Sequence, residues 1–95
     1  MLILPIKKKW FDMISSGYKK EEYRTINKYY YSRFKKYGIN SNREFRILLR
    51  NGISSKRPTL RCVVICKTSI GKEMWGANSN EACFILKIKK VEKYD

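Results

Sequence analysis

Leu2, Leu4 and Ile6 alternate with Ile3 and Pro5 at the start of the chain. This period-two pattern predicts a short strand, which Pro5 confines to an edge or an early position in a sheet. From Lys8 the period lengthens. Trp10, Met13 and Ile14 share one helical face, and Ser15, Ser16 and Gly17 end the helix after about two turns, with the glycine as a left-handed terminator. The run Lys19 to Thr25 is charged but bounded by β-formers, and its alternation places Lys20, Glu22 and Arg24 on one face of a strand. Asn27 is positioned to cap a second helix reaching to Tyr37. Tyr30, Phe34 and Tyr37 form its apolar i, i+4, i+7 stripe, and Lys28, Arg33, Lys35 and Lys36 form its solvated face.

Gly38 to Asn42 has the composition of a loop. Phe45 to Arg50 alternates Phe45, Ile47 and Leu49 against Arg46, Leu48 and Arg50, and Asn51-Gly52 after it signals a turn. Thr59 to Ser69 is the longest β-branched run. Cys62, Val64 and Cys66 lie on one face and Val63 and Ile65 on the other, the pattern of a central strand covered on both sides. Gly71 to Asn80 connects it to a last strand, Ala82 to Val91, with Phe84, Leu86 and Ile88 inward and Lys87 and Lys89 outward. The sum is one domain over residues 1–95, without linker or repeat. It is α+β and mainly β: a small β-barrel of about five strands with two short helices.

Charge changes this picture from a fold to a fold with a partner. The 95 residues carry 22 Lys and Arg against 8 Asp and Glu, a formal net charge of +14. Self-repulsion on that scale is relieved by an anion, and phosphate is the first candidate. RNA or a nucleotide is the expected partner, with DNA a further candidate. With 43% hydrophobic residues the chain is not a disordered basic tail. Histidine is absent, which removes Ser-His and Cys-His dyads and mixed zinc sites. Cys62, Cys66 and Cys83 are an odd set with too few ligands for structural zinc, and read as core thiols; neither metal nor cofactor is expected. No apolar run approaches the roughly 18 residues needed to span a bilayer, and the start of the chain lacks a secretory pattern, so a cytoplasmic protein without a membrane partner is expected.

The most informative stretch is SGYKKEEYR, Ser16 to Arg24. Gly17, Lys19, Glu22 and Arg24 reproduce the spacing G-x-K-x-x-E-x-R, which resembles the signature of ASCH domains, a branch of the PUA-like superfamily. The preceding KKKWFDMISSG, the tyrosine-rich helix, RNG with a later proline, GKEMWGA and the final apolar strand are also similar to small ASCH proteins of bacteria and their phages. The likeness runs through nearly the whole chain. It implies a PUA-like β-barrel with a cleft into which the signature residues point, and an association with RNA. One enzymatic branch of the family removes an acyl group from the exocyclic amine of a modified cytidine, using the signature lysine, a threonine and a distant glutamate. Lys19 matches the lysine and Glu22 stands in the threonine's place. Glu73 and Glu81 are both available as the distant carboxylate. Other members are ribonucleases, so the resemblance also permits a hydrolase acting on RNA.

The residues themselves are compatible with several of these roles. Glu22 and Arg24, two apart on a strand with Cα atoms roughly 6.5 Å apart, can pair on one face. Lys19 beside Lys20 and Arg24 is placed for a lowered pKa, as a nucleophile or base requires, or for a charged role against phosphate. Lys19 and Glu22 are therefore the candidate catalytic pair. Lys19, Lys20, Arg24, Lys28, Arg33, Lys35 and Lys36 are candidate phosphate contacts. Tyr29 and Tyr31 are a candidate platform for stacked bases. Trp75, between Gly71 and Gly76, is core, lid or stacking surface. A binding module, an enzyme on RNA or a modified nucleoside, and a phage-type protein that binds and inhibits a host nucleic-acid-handling complex all remain open at this point.

Overall fold

The computed structural model describes residues 1–54 and 56–94. Strand β1, Leu2–Ile6, leads into helix α1, Lys8–Ser15, which buries Phe11 and Ile14. Gly17 stops the helix at φ +83°, its N–H donating to the Ile14 carbonyl. Strand β2 is Glu21–Arg24 and helix α2 is Lys28–Phe34. As its spacing predicts, Asn27 caps α2, its side chain accepting from the Tyr30 N–H. The last predicted turn tightens into a 3₁₀ turn, Lys35–Tyr37. Strands β3, Phe45–Asn51, β4, Thr59–Ile70, and β5, Ala82–Tyr94, complete the chain, with a 3₁₀ turn at Glu73–Trp75 between β4 and β5.

The five strands form one sheet in the order β1-β3-β4-β5-β2. Only β1 and β3 are parallel. β4 is central, and its face of Leu60, Cys62, Val64 and Cys66 packs with Ile47, Leu49, Phe84 and Leu86 under Phe11, Ile14 and Phe34 of the two helices. Here the alternation read from β3 and β4 holds. In β5 Phe84, Leu86 and Ile88 turn inward and Lys87 and Lys89 outward as predicted, and the register shifts only beyond Ile88. Val63 pairs with Lys90 but Val64 with Ile88, so a bulge at Lys89 resets the parity. Both Lys89 and Lys90 stay exposed while Ile88 and Val91 pack on the core. Two adjacent lysines are thereby accommodated, while upstream of them Ile85 is buried as well as its neighbours Phe84 and Leu86.

The sheet curls into a half-barrel whose edge strands, β1 and β2, face each other. Backbone pairing does not join them; the Arg24 side chain does, its Nη2 donating to the Pro5 carbonyl at 3.0 Å. Among the described residues no helix is long and apolar enough to cross a membrane.

Candidate functional site

The seam between β1 and β2 is a cleft of about 310 Å³. Pro5 and Lys7 line one side, Glu22 and Arg24 the other, and Trp10, Tyr23, Tyr30 and Trp75 supply aromatic walls. Lys19 forms its floor. The residue reaches that place because α1 is not finished at Gly17: the Lys19 N–H donates to the Met13 carbonyl at 3.0 Å, so Lys19 still belongs to the helix terminus. β2 starts only at Glu21, two residues later than the pattern predicts. The i, i+3 separation of Lys19 from Glu22 therefore spans a helix end and a strand start, and strand parity does not apply to it.

Among the described residues Lys19 and Glu22 are the buried charged ones, 2% and 4% exposed. The Lys19 ammonium donates to Glu22 Oε1 at 2.8 Å and to the Trp75 carbonyl at 2.7 Å, and lies 4.2 Å from the centre of the Trp10 ring. It also lies 5.6 Å from the centre of the Tyr23 ring, so two hydrogen bonds and two aromatic faces surround the charge. The other carboxylate oxygen of Glu22 accepts from Arg24 Nη1, which also donates to the Tyr23 carbonyl. Glu22 is thus held between two cations, one buried and one with 13% of its side chain exposed at the mouth. Burial holds the Lys19 pKa below its ordinary value, against the attraction of Glu22, and Arg24 lowers it further. Lys20, expected to share in that effect and to face the same way as Glu22, is exposed outside the cleft lining, because it precedes the strand.

The β4–β5 connection closes one end of the cleft. Tyr23 ties it down, donating through its hydroxyl to Glu21 at 2.8 Å and accepting from the Lys72 N–H at 2.9 Å. Gly76, at φ +103°, lies against Trp10 so closely that a Cβ would stand 3.0 Å from Cζ2 of the indole. Trp75 itself is buried, its Nε1 has no hydrogen-bond partner among the described residues, and it serves as wall and as acceptor for Lys19. Of the two distant glutamates, Glu81 lines a smaller neighbouring hollow that shares Tyr23, Arg24 and Gly76 with the cleft, and it accepts from Asn78 at 3.0 Å. Glu73 is exposed in the 3₁₀ turn and lines neither space.

The remaining candidates form a separate surface. Lys28, Arg33, Lys35 and Lys36 are all exposed, as the helical pattern predicts, and Tyr29 and Tyr31 are 57% and 53% exposed. Arg33 lies 4.5 Å from the centre of the Tyr29 ring. Sequence reasoning missed Trp10, Tyr23 and Tyr30 as cleft residues. Tyr30 belongs to the predicted core stripe and does pack on the core, but its Arg24-facing side reaches the cleft, 5.9 Å from the guanidinium. No pattern along the chain distinguishes the two faces of one ring. Among the described residues no cluster of three His, Cys, Asp or Glu is placed to hold a metal ion. Compared with protein-family models, curated proteins and solved structures, the chain has no match.

Proposed function

We propose that the chain is a small PUA-like protein of the ASCH type and that its cleft binds RNA or a nucleotide, taking one base between the aromatic walls. The observation that carries this reading is the Lys19–Glu22–Arg24 chain of charges, buried at the bottom of an aromatic-walled cleft in a domain of net charge +14. A carboxylate held by two cations is fixed in position, and its remaining lone pairs can accept from the N–H groups on a base edge. Arg24 and Lys7 stand at the mouth, where a phosphate attached to that base would lie. The cleft volume is at the small end of the range for ligand sites, enough for a nucleoside and not for a folded partner.

The two tryptophans of the chain both line this cleft. Their emission therefore reports its occupancy without a label. Titration with ribonucleoside monophosphates and short RNA should quench it with saturation; no change in emission up to millimolar nucleotide would refute the reading.

The lowered pKa of Lys19 favours a second reading, hydrolysis of an acylated cytidine or of RNA. In the first case water adds to the acyl carbon and gives a proton to the Glu22 carboxylate, while the Lys19 ammonium donates a proton to the exocyclic nitrogen as the carbon–nitrogen bond breaks; the proton on Glu22 then returns to Lys19. Incubation with acylated cytidine and with end-labelled RNA, with Lys19→Ala as control, separates turnover from binding. A rate lost in the variant while tryptophan quenching persists supports the enzyme.

A further inference from the structure

Another hollow, apart from the cleft and from the one that Glu81 lines, lies beside the β2–α2 connection. It is a groove of about 390 Å³ lined by Ile26, Tyr31, Lys35, Ile39, Thr68 and Phe84. Ile26 and Tyr31 leave about half of their surfaces exposed, at 47% and 53%, and Phe84 forms a buried floor. The far wall is fixed: Asn40 and Thr68 exchange two hydrogen bonds of 2.9 Å, and Ile39 bridges to Cys66 of β4. The Thr68 hydroxyl accepts from Asn40, which leaves its own O–H to donate. Lys35 stands on the rim, 5.8 Å from the centre of the Tyr31 ring.

The charge around this groove is of one sign. Residues 25–43 contain Lys28, Arg33, Lys35, Lys36 and Arg43 and no aspartate or glutamate. An exposed ring beside a cation over an apolar floor suits a base whose own phosphate lies at the rim. The groove is also tied to the cleft by sequence. Arg24 and Tyr30 line the cleft; Ile26, two residues after Arg24, and Tyr31, one after Tyr30, line the groove. The two hollows therefore flank the same short piece of backbone.

We infer that the groove is a second base site and that the ligand is a single strand of RNA, crossing the basic ridge of α2 with one base in the cleft and another against Tyr31. This rests on the cleft reading and specifies its ligand. Duplex RNA does not fit, because its bases are stacked and paired and cannot enter two separate hollows. The footprint is about four or five nucleotides, the short end of single-strand sites.

Uridine monophosphate and a uridine pentanucleotide are titrated against the full chain, following tryptophan emission. One additional stacked base should make the pentanucleotide about 5- to 150-fold tighter than the monophosphate. Tyr31→Ala should remove most of that gain, Tyr31→Phe should retain it, and Ile26→Ser should reduce it while leaving monophosphate binding as it is. Circular dichroism melting confirms that the variants are folded; Ile26→Ser, outside α2, preserves the test if Tyr31→Ala disturbs the helix. A pentanucleotide no tighter than the monophosphate, or a gain untouched by both Tyr31→Ala and Ile26→Ser, would overturn the groove and leave the cleft standing. Absence of quenching by any nucleotide would overturn the cleft, and the two-site strand with it.

Discussion

Replacing Lys19 and Glu22 one at a time should produce unequal losses of stability, with the carboxylate the more costly to remove. Breaking a buried ion pair by deleting one member costs about 3 to 5 kcal/mol, because the survivor remains buried without its partner. Lys19→Met leaves Glu22 still paired with Arg24, so the loss belongs at the lower end, about 3 kcal/mol, and includes the donor lost by the Trp75 carbonyl. Glu22→Gln leaves two neighbouring cations with no anion between them, and belongs at the upper end, about 5 kcal/mol. For 95 residues the total stability is expected at roughly 5 to 14 kcal/mol, so the second substitution brings the domain close to unfolding. With a urea slope of about 1 kcal/mol per molar, Lys19→Met should lower the midpoint by about 3 M. The double variant should fall short of the sum by about 2 to 3 kcal/mol, since both changes remove one interaction. The pH dependence supplies an independent check. Below the depressed folded pKa, Lys19 is protonated in both states and contributes no slope. Between that value and the ordinary 10.5 the unfolded chain binds more protons, so wild-type stability rises with pH relative to Lys19→Met. Burial raises the Tyr23 pKa above its ordinary 10.0, which acts in the opposite sense at higher pH, so the comparison belongs below pH 10. Equal losses in the two single variants, or strict additivity in the double, would refute the description of Glu22 as shared between two cations.

Three further outcomes follow from other parts of the molecule. The logarithm of the RNA affinity should fall with the logarithm of salt concentration at a slope of about −0.7 per phosphate contacted, and a flat plot would remove the role assigned to net charge. Gly76→Ala forces a side chain into a left-handed conformation and against Trp10, so it should cost about 1 to 3 kcal/mol and lower the circular dichroism melting temperature, whereas an unchanged melt would show that the connection does not pack as described. Iodoacetamide at pH 8 should label half-buried Cys83 first, since burial raises all three thiols, Cys62 and Cys66 up to about 12 and about 11, and only Cys83 keeps access to solvent; peptide mapping that found Cys62 or Cys66 labelled first would contradict their place in the core.

The elements were legible in the sequence wherever one face is apolar and the other charged. β3, β4 and both helices follow their patterns to within a few residues, and Asn27 and Gly17 act at the positions their chemistry indicates. Period alone failed where a backbone irregularity changes parity. Lys19 and Lys20 precede β2 because the end of α1 still holds the Lys19 N–H, whereas Lys89 faces outward as its position in the alternation predicts. The pairing of Glu22 with Arg24 was legible as two positions on one strand face. Trp10 and the Trp75 carbonyl were not, since they meet Lys19 across the fold and leave no mark in local spacing.

The seam explains why these charges sit where they do. An open five-stranded sheet has two edges with unpaired backbone groups, and closing it with main-chain bonds would leave no space between β1 and β2. Here the edges are held by a side chain. Arg24 donates to the Pro5 carbonyl of β1 and to Glu22 of its own strand, and Glu22 in turn receives Lys19 from the end of α1. Pro5 suits the position, because it offers a carbonyl and has no N–H to leave unpaired. The same residues thus close the half-barrel and line its cleft. An apolar seam of equal volume would be as stable or more so, given what burying charge costs. Shape alone therefore does not account for a lysine and a glutamate with almost no solvent contact. On the proposed reading, a fixed carboxylate presented between two cations to a ligand accounts for them, and the destabilising group and the closing group are then one unit. Arg24→Met should consequently loosen the β1–β2 edges and weaken nucleotide binding together, read by amide hydrogen exchange in β1 and β2 and by tryptophan quenching; loss of either one without the other would separate closure from binding.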